Sequence, residues 1–400
     1  MRRLLVYLSV AVMSGVMSCA CNDLKQGDVD LTLPEDDKKE GLVIPDKFVH
    51  PGLLHTVEDV ERWKEIVADQ EQPAYACYEK FAADAHSKPN YPLQGPFKEI
   101  YRGTFDGKQA IQGNYESDFN AAYQNSVMYA VTGDEAHALK AVEILNAYAN
   151  NLKAIVGNDQ PLLAGIMGVK FMYAAEMMRY LYPQGMTDGS FARVCAMFRN
   201  VFVPVLEEFM AKPAYSNGNW GASVGMSYIA AGVLFDDKAM YEKGVKFYQF
   251  GNDNGTIYNY VDGQTGQCQE SGRDQAHTQL GLACLSVSCE IAWNQGTDLY
   301  GIDDNRLMKG FEYTSRYNVG HNDLPYRVWK DVTGKYCNWQ NISEEKRGQF
   351  RPVFEMPYNH YVNRKGLSMP NTAEVLAKIR PEGYYYEHFG FGTFLFSDKK

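Results

Sequence analysis

The chain has 400 residues, 45% of them hydrophobic and 13% aromatic, and a formal net charge of −10. That length buries a large core and leaves open one big domain or two to three smaller ones. The acidic balance argues against a nucleic-acid binder, which needs a basic stripe, so an anionic partner must meet a local basic cleft. Tyrosine is abundant at 28 residues, and its ring packs while its hydroxyl remains available to polar ligands such as sugars.

Residues 1–18 carry Arg2 and Arg3 ahead of an apolar run too short to span a membrane, the pattern of an export signal. Cys19 follows Val16-Met17-Ser18 as the lipidated cysteine follows a bacterial lipobox, and Cys21 is a second candidate. An ordinary secretory signal is the other reading. Residues 19–41 are polar and charged, as in a flexible tether, and a single folded domain is expected over 42–400. The protein is therefore expected in the periplasm or on the outer membrane, in contact with lipid only through its anchor.

From residue 42 apolar positions recur at helical spacing over 57–67, 74–85, 119–131, 135–152, 166–181, 191–210, 222–235, 239–250 and 273–293. Short polar breaks such as Thr132-Gly133-Asp134 and Asp236-Asp237 imply antiparallel hairpins. The pattern predicts an all-α-dominated (α/α) toroid. Gly251 to Gly272 is the longest irregular insertion, a kind of loop that is usually functional or mobile. Beyond Asp323 the chain turns aromatic and Gly/Pro-punctuated, with strand or extended segments expected at 326–329 and 384–391 and helices near 353–363 and 372–378. Cys284 and Cys289 fall in an apolar helix as small core residues. Zinc-type spacing is absent, so no metal or cofactor is expected.

Four clusters carry chemistry. Glu270-Ser271-Gly272-Arg273-Asp274-Gln275-Ala276-His277 packs two cations and two carboxylates into the start of a helix that Ser271 can cap, ahead of an apolar run that holds it rigidly. Asn217-Gly218-Asn219-Trp220 opens another helix, and its amides can donate to a carboxylate without adding charge. Residues 347–365 form the most basic and aromatic stretch, in which Tyr358, His360, Tyr361 and Arg364 reach a common cleft if the segment lines it. Asn114 to Asn120 reads as an acidic helix start or a polar rim.

Together with His50-Pro51-Gly52-Leu53-Leu54 and Thr132-Gly133-Asp134, these motifs over about residues 48–370 make the chain resemble the alginate lyase domain superfamily of toroidal polysaccharide lyases, particularly polysaccharide lyase family 38. The resemblance implies β-elimination on an anionic uronate polysaccharide, alginate, polymannuronate or glucuronan. It implies that Asn217 or Asn219, with Arg273 and His277, neutralises the uronate carboxylate, and that a tyrosine serves as base and acid, Tyr358 first and Tyr361 behind it. Trp220, Glu270, Arg351, His360, Tyr361, Arg364 and Trp329 or Trp339 are the substrate-binding candidates, with Glu270 and Asp274 orienting the two cations. The chain departs from the better-known pattern, in which His directly follows Asn; here Gly218 or Trp220 does. Two other functions are open: a glycoside hydrolase with Glu116 or Asp118 opposed to Glu270 or Glu355, and a non-catalytic glycan-binding lipoprotein.

Overall fold

Four helices are buried on nearly every face: Gln112–Thr132, Gln160–Leu181, Gly218–Leu234 and Gln275–Asn294. A helix of that kind must be covered all round. In the computed structural model, which describes residues 42–398, the four stand side by side as an inner layer. The export signal, Cys19, Cys21 and the tether lie outside the described residues.

Small residues set the spacing of this layer. A Cβ on Gly165 would lie 2.5 Å from Ser223 Oγ, and one on Gly168 would lie 3.1 Å from Ser227 Oγ. Both positions advance together, so these inner helices run parallel. The outer layer is antiparallel to it. Gly232 meets Tyr241 and Gly244 meets Ile229, which pairs Gly218–Leu234 with Lys238–Phe250 through a turn capped by Asp237, whose Oδ1 accepts from Met240 N at 3.0 Å. Gly133 at φ 70° ends Gln112–Thr132, and Asp134 caps the outer Glu135–Asn151. Ile302–Asn318 covers Gln275–Asn294 in the same way. The N-terminal helix Val57–Asp69 closes against the C-terminal chain, where Arg62 Nη2 donates to Leu395 O at 2.6 Å and Arg62 Nη1 to Ser397 O at 2.6 Å.

Two expectations need correction, and of the strand or extended segments expected near the C-terminus the extended alternative holds. The single helix expected over 191–210 divides into Asp188–Met197 and Val203–Ala211 with a wide π-type turn at Phe198–Phe202. Pro204, at the start of the second part, has no N–H to continue the ladder. The segments 326–329 and 384–391 form no strand; side chains hold them instead, Arg327 N donating to Gln267 Oε1 at 3.0 Å and Lys170 Nζ to Tyr386 O at 2.6 Å. The strands among the described residues are the parallel pair Glu99–Ile100 and Ala154–Ile155. The helix expected near 353–363 is one turn, Glu355–Tyr358, that widens into a π-type turn at Asn359–Arg364.

The close approach of the inner helices is testable. Gly165→Ala forces the Ser223 backbone, 2.7 Å from the new Cβ, to move, and lowers unfolding free energy in urea by about 1–3 kcal/mol. Gly189→Ala, whose nearest neighbour is the Arg193 guanidinium at 3.7 Å, leaves stability unchanged or raises it by up to about 1 kcal/mol.

Candidate active site

The first N–H groups of a helix have no partner inside it. The Gly218–Leu234 helix finds its partners in the long loop that precedes Gln275–Asn294. Gly218 N donates to Gln269 Oε1 at 3.0 Å and Asn219 N to Glu270 Oε2 at 3.0 Å. Asn219 Nδ2 donates to Glu270 Oε1 at 2.7 Å, Tyr260 Oη to Glu270 Oε2 at 3.1 Å, and Arg273 Nη1 to Glu270 Oε1 at 2.8 Å. Glu270 is fully buried. Burial pushes its carboxyl above the usual range, against the pull of Arg273, His277 and Asn219. Asn217 stands at the N-cap position, yet its side chain caps nothing; Asn217 Oδ1 accepts from Gln269 Nε2 at 3.3 Å. Asn219 Oδ1 is buried and has no partner among the described residues.

The second helix starts later than the sequence suggests. Asp274, not Ser271, caps it, with Oδ1 accepting from His277 N at 2.7 Å. Ser271 Oγ accepts from Cys268 N at 3.0 Å and closes the turn before. Arg273 is thereby left outside the helix, free to lean back on Glu270. His277 Nδ1 lies 2.5 Å from Asp274 Oδ2. An ionised carboxylate only accepts, so Nδ1 carries the hydrogen and Nε2 faces Arg273 Nη2 at 3.2 Å. Burial raises the Asp274 carboxyl, but the His277 ring and amide and then Arg273 lower it more, leaving it below the usual carboxylate range. Side-chain exposure is 30% for Arg273 and 37% for His277, against 0% for Glu270 and 9% for Asp274. The acids are covered and the cations face outward.

A strap of irregular chain crosses this loop. Ser343 N donates to Ser271 O at 2.9 Å and Gln275 N to Glu345 O at 3.0 Å. Gly272 has no room for a side chain, since its Cβ would lie 2.3 Å from Tyr326 Oη and 2.4 Å from Trp339 Cβ. Tyr336 stacks on Trp339 with ring centres 6.1 Å apart and donates to Tyr215 O at 3.3 Å. Tyr215 in turn meets Trp220 edge-on at 6.3 Å. Burial pushes the Tyr336 phenol up while the Arg273 charge pulls it down, so the two groups are within electrostatic reach. Sequence reasoning passed over Tyr336; its signal was an aromatic pair three residues apart in an otherwise unpatterned stretch.

The other candidates lie elsewhere. Arg380 covers the Tyr358 ring at 5.6 Å. His360 stacks on Tyr300 at 3.8 Å, Tyr361 Oη donates to Tyr300 O at 2.9 Å, and Arg364 pairs with Glu290 at 2.8 and 3.1 Å. Burial lowers His360 to about 4, which keeps it neutral. Glu290 is on the same helix as His277, about 20 Å further along the axis at ~1.5 Å per residue. So the 358–364 segment packs on the far half of that helix, and its cation, Arg364, is closed by Glu290 there. Trp329 is buried, with the Arg327 guanidinium 5.8 Å from its ring centre; Trp339 is the tryptophan at the Glu270 loop. Arg351 pairs with Glu387 at 2.9 Å. Of the carboxylates a hydrolase would use, Asp118 is fully buried under Tyr91, Tyr148 and two backbone amides, and Glu355 is held by Arg380 at 2.6 Å. Glu116 is buried and accepts from Gln112 at 2.8 Å.

The all-α layered fold is that of a class of polysaccharide lyases. The chain belongs to the alginate lyase family, whose model matches residues 70–323, and it is a polysaccharide lyase. The fold is similar to alginate lyase A1-III from Sphingomonas species A1, with 12% identity, a TM-score of 0.61, and coverage of 92% of this chain and 100% of that one. It is equally similar to an alginate lyase from Bacteroides ovatus, with 14% identity, a TM-score of 0.61, and coverage of 88% and 100%. A histidine-to-alanine variant of A1-III complexed with a tetrasaccharide matches at 12% identity and a TM-score of 0.60, covering 92% and 100%. No curated protein matches the chain.

The Asp274 pairing has a pH signature. Its folded pKa is depressed, so its contribution is fully present above the unfolded value of about 3.9 and is lost as pH falls through the lower folded value. In urea unfolding, the native chain remains more stable than Asp274→Asn from pH 7 to 5. The gap narrows as the pH is taken below about 4.

Proposed function

We propose that this enzyme cleaves a uronate-containing polysaccharide, polymannuronate, alginate or glucuronan, by β-elimination at the Arg273–His277 pair. The observation that carries the reading is the arrangement of that pair: both cations face outward while Glu270 and Asp274 hold them from beneath. The C5 proton of a uronate is too weakly acidic to leave while the adjacent carboxylate keeps its full charge. Arg273 takes that carboxylate and stabilises the charge as it becomes enolate-like. His277, kept in orientation by Asp274, presents an N–H from Nε2 when its ring is protonated, and so becomes the second donor. Asn219, bound to the same Glu270 carboxylate as Arg273, keeps its amide oxygen unpartnered among the described residues.

A base then removes the C5 hydrogen, the C4–C5 double bond forms as the C4–O4 bond breaks, and an acid protonates the departing oxygen. Tyr336 feels the Arg273 charge from the strap tied to the loop at Ser271 and Gln275, whereas Tyr260, hydrogen-bonded to Glu270, is fully buried; Tyr336 is therefore the candidate base. Where the C5 hydrogen and O4 lie on one face, as in mannuronate and glucuronate, one phenol does both tasks. Trp220 and Trp339 supply aromatic surface beside it. The N-terminal export signal and Cys19 lipidation belong to the same reading, placing a tethered single-domain lyase in the periplasm or on the outer membrane.

The hydrolase reading lacks support, since each acid it needs is already committed to a cation or hydrogen-bond donors. A panel of polymannuronate, polyguluronate, glucuronan and glycosaminoglycans, followed by ultraviolet absorbance of unsaturated uronate, tests the proposal. Tyr336→Phe and His277→Ala each lower turnover by about 10²–10⁴-fold with unchanged unfolding curves. Tyr358→Phe stays within about threefold of the parent, well short of the loss expected for a general base. A large loss in Tyr358→Phe with full activity in Tyr336→Phe would reverse the assignment of the base.

A further inference from the structure

A second pair of guanidinium groups converges on a single acid. Arg102 Nη2 lies 3.3 Å from Glu387 Oε1, and Arg351 Nη1 lies 2.9 Å from Glu387 Oε2. Two positive charges thus share one carboxylate, and the next acid, Asp159, is 3.8 Å from Arg102 Nε with its side chain 44% exposed. The donors are not used up. Arg102 Nη1 and Arg351 Nε are buried and have no partner among the described residues, although the Arg351 side chain is only 10% exposed. A buried donor without an acceptor is costly, and an arriving acceptor recovers that cost.

The surroundings suit a sugar acid. The Arg351 guanidinium lies 5.3 Å from the Tyr385 ring centre, and Tyr385 stacks on Tyr386 at 5.1 Å. Tyr386 is 41% exposed, so the aromatic pair forms a rim that a pyranose ring can cover. The connection to the Arg273–His277 pair is direct. The chain that ties down the Glu270 loop at Gln275 continues to Arg351, whose N donates to Gln279 Oε1 at 2.8 Å. Arg351 is therefore anchored on the first turns of Gln275–Asn294, the helix that carries His277. Arg364, by contrast, is spent on Glu290.

We propose that Arg102 and Arg351, bridged by Glu387 beneath the Tyr385–Tyr386 rim, form a second carboxylate site that binds a neighbouring uronate of the polymer. The site rests on the lyase reading for its substrate class. Glu387 acts as an internal stand-in for the ligand carboxylate: it keeps the two cations together in the free enzyme and weakens as the uronate takes the spare N–H groups.

The two sides of this cluster carry opposite signs, which makes the test sharp. An oligomannuronate and its carboxyl-reduced counterpart are titrated calorimetrically into the full chain carrying His277→Ala, alone and combined with Arg102→Gln or Glu387→Gln. Arg102→Gln weakens binding of the acidic oligosaccharide at least tenfold and flattens its salt dependence, with the neutral one unaffected. Glu387→Gln tightens the acidic oligosaccharide at least threefold, because it releases two guanidinium groups from their internal partner. If Arg102→Gln does not fold, Glu387→Gln decides alone. Affinities that stay unchanged, or that fall in both variants, mean the cluster is scaffold and overturn the site. Oligomannuronate binding with these signs in a parent chain that releases no unsaturated product leaves the site standing and removes the lyase reading. Turnover by the parent with variant-independent affinity does the reverse.

Discussion

One buried carboxylate organises the catalytic face. Glu270, fully enclosed, accepts from the amide and side chain of Asn219, from Tyr260 and from Arg273. Those donors come from the start of one inner helix, from the long loop and from the approach to the next inner helix. The cost of burying the charge is offset only while all of them are in place, and removing one partner of such a pair typically costs about 3–5 kcal/mol. The Glu270 carboxylate thus locks two parallel helices in register and aims Arg273 outward in one arrangement. Asp274 repeats the device on a smaller scale for His277.

This division of labour explains why the site contains four charged groups and yet presents mainly positive charge. The acids sit beneath the cations and are closed to solvent, so a polyanion meets guanidinium and imidazole first. The Arg102–Glu387–Arg351 cluster has the same construction, with one acid shared between two cations. The chain carries a net charge of −10, so any acidic polymer it takes must be met by such local positive groups.

The inner helices were legible because a helix buried on both sides leaves long apolar runs, and the hairpin turns because Gly133 and Asp237 do local jobs that need no distant partner. Glu270 to His277 was legible for the same reason: contacts at three and four residues apart form within the segment itself. The proposed proton-transfer group was not. Among 28 tyrosines, Tyr358 stood out by its cationic neighbours in sequence, but Arg364 turns away to Glu290 and Arg380 comes from distant chain to cover the Tyr358 ring. Tyr336 lies in a strap without periodicity, whose path is set by single hydrogen bonds to Ser271 and Gln275. The strap, Arg351 and the Tyr384 to His388 segment all lie outside the 70–323 span that the family model matches.

The central claim is that the Glu270-ordered cation pair supports elimination and not the addition of water. Mass spectrometry of the products from polymannuronate and glucuronan tests it most directly. Elimination predicts that every new non-reducing end is lighter by one water than a hydrolytic end and carries the C4–C5 double bond. The fragment that keeps the original non-reducing end has the same mass in either reaction. New non-reducing ends that carry the full hydrolytic mass and no C4–C5 double bond would contradict the account and return the site to a hydrolase.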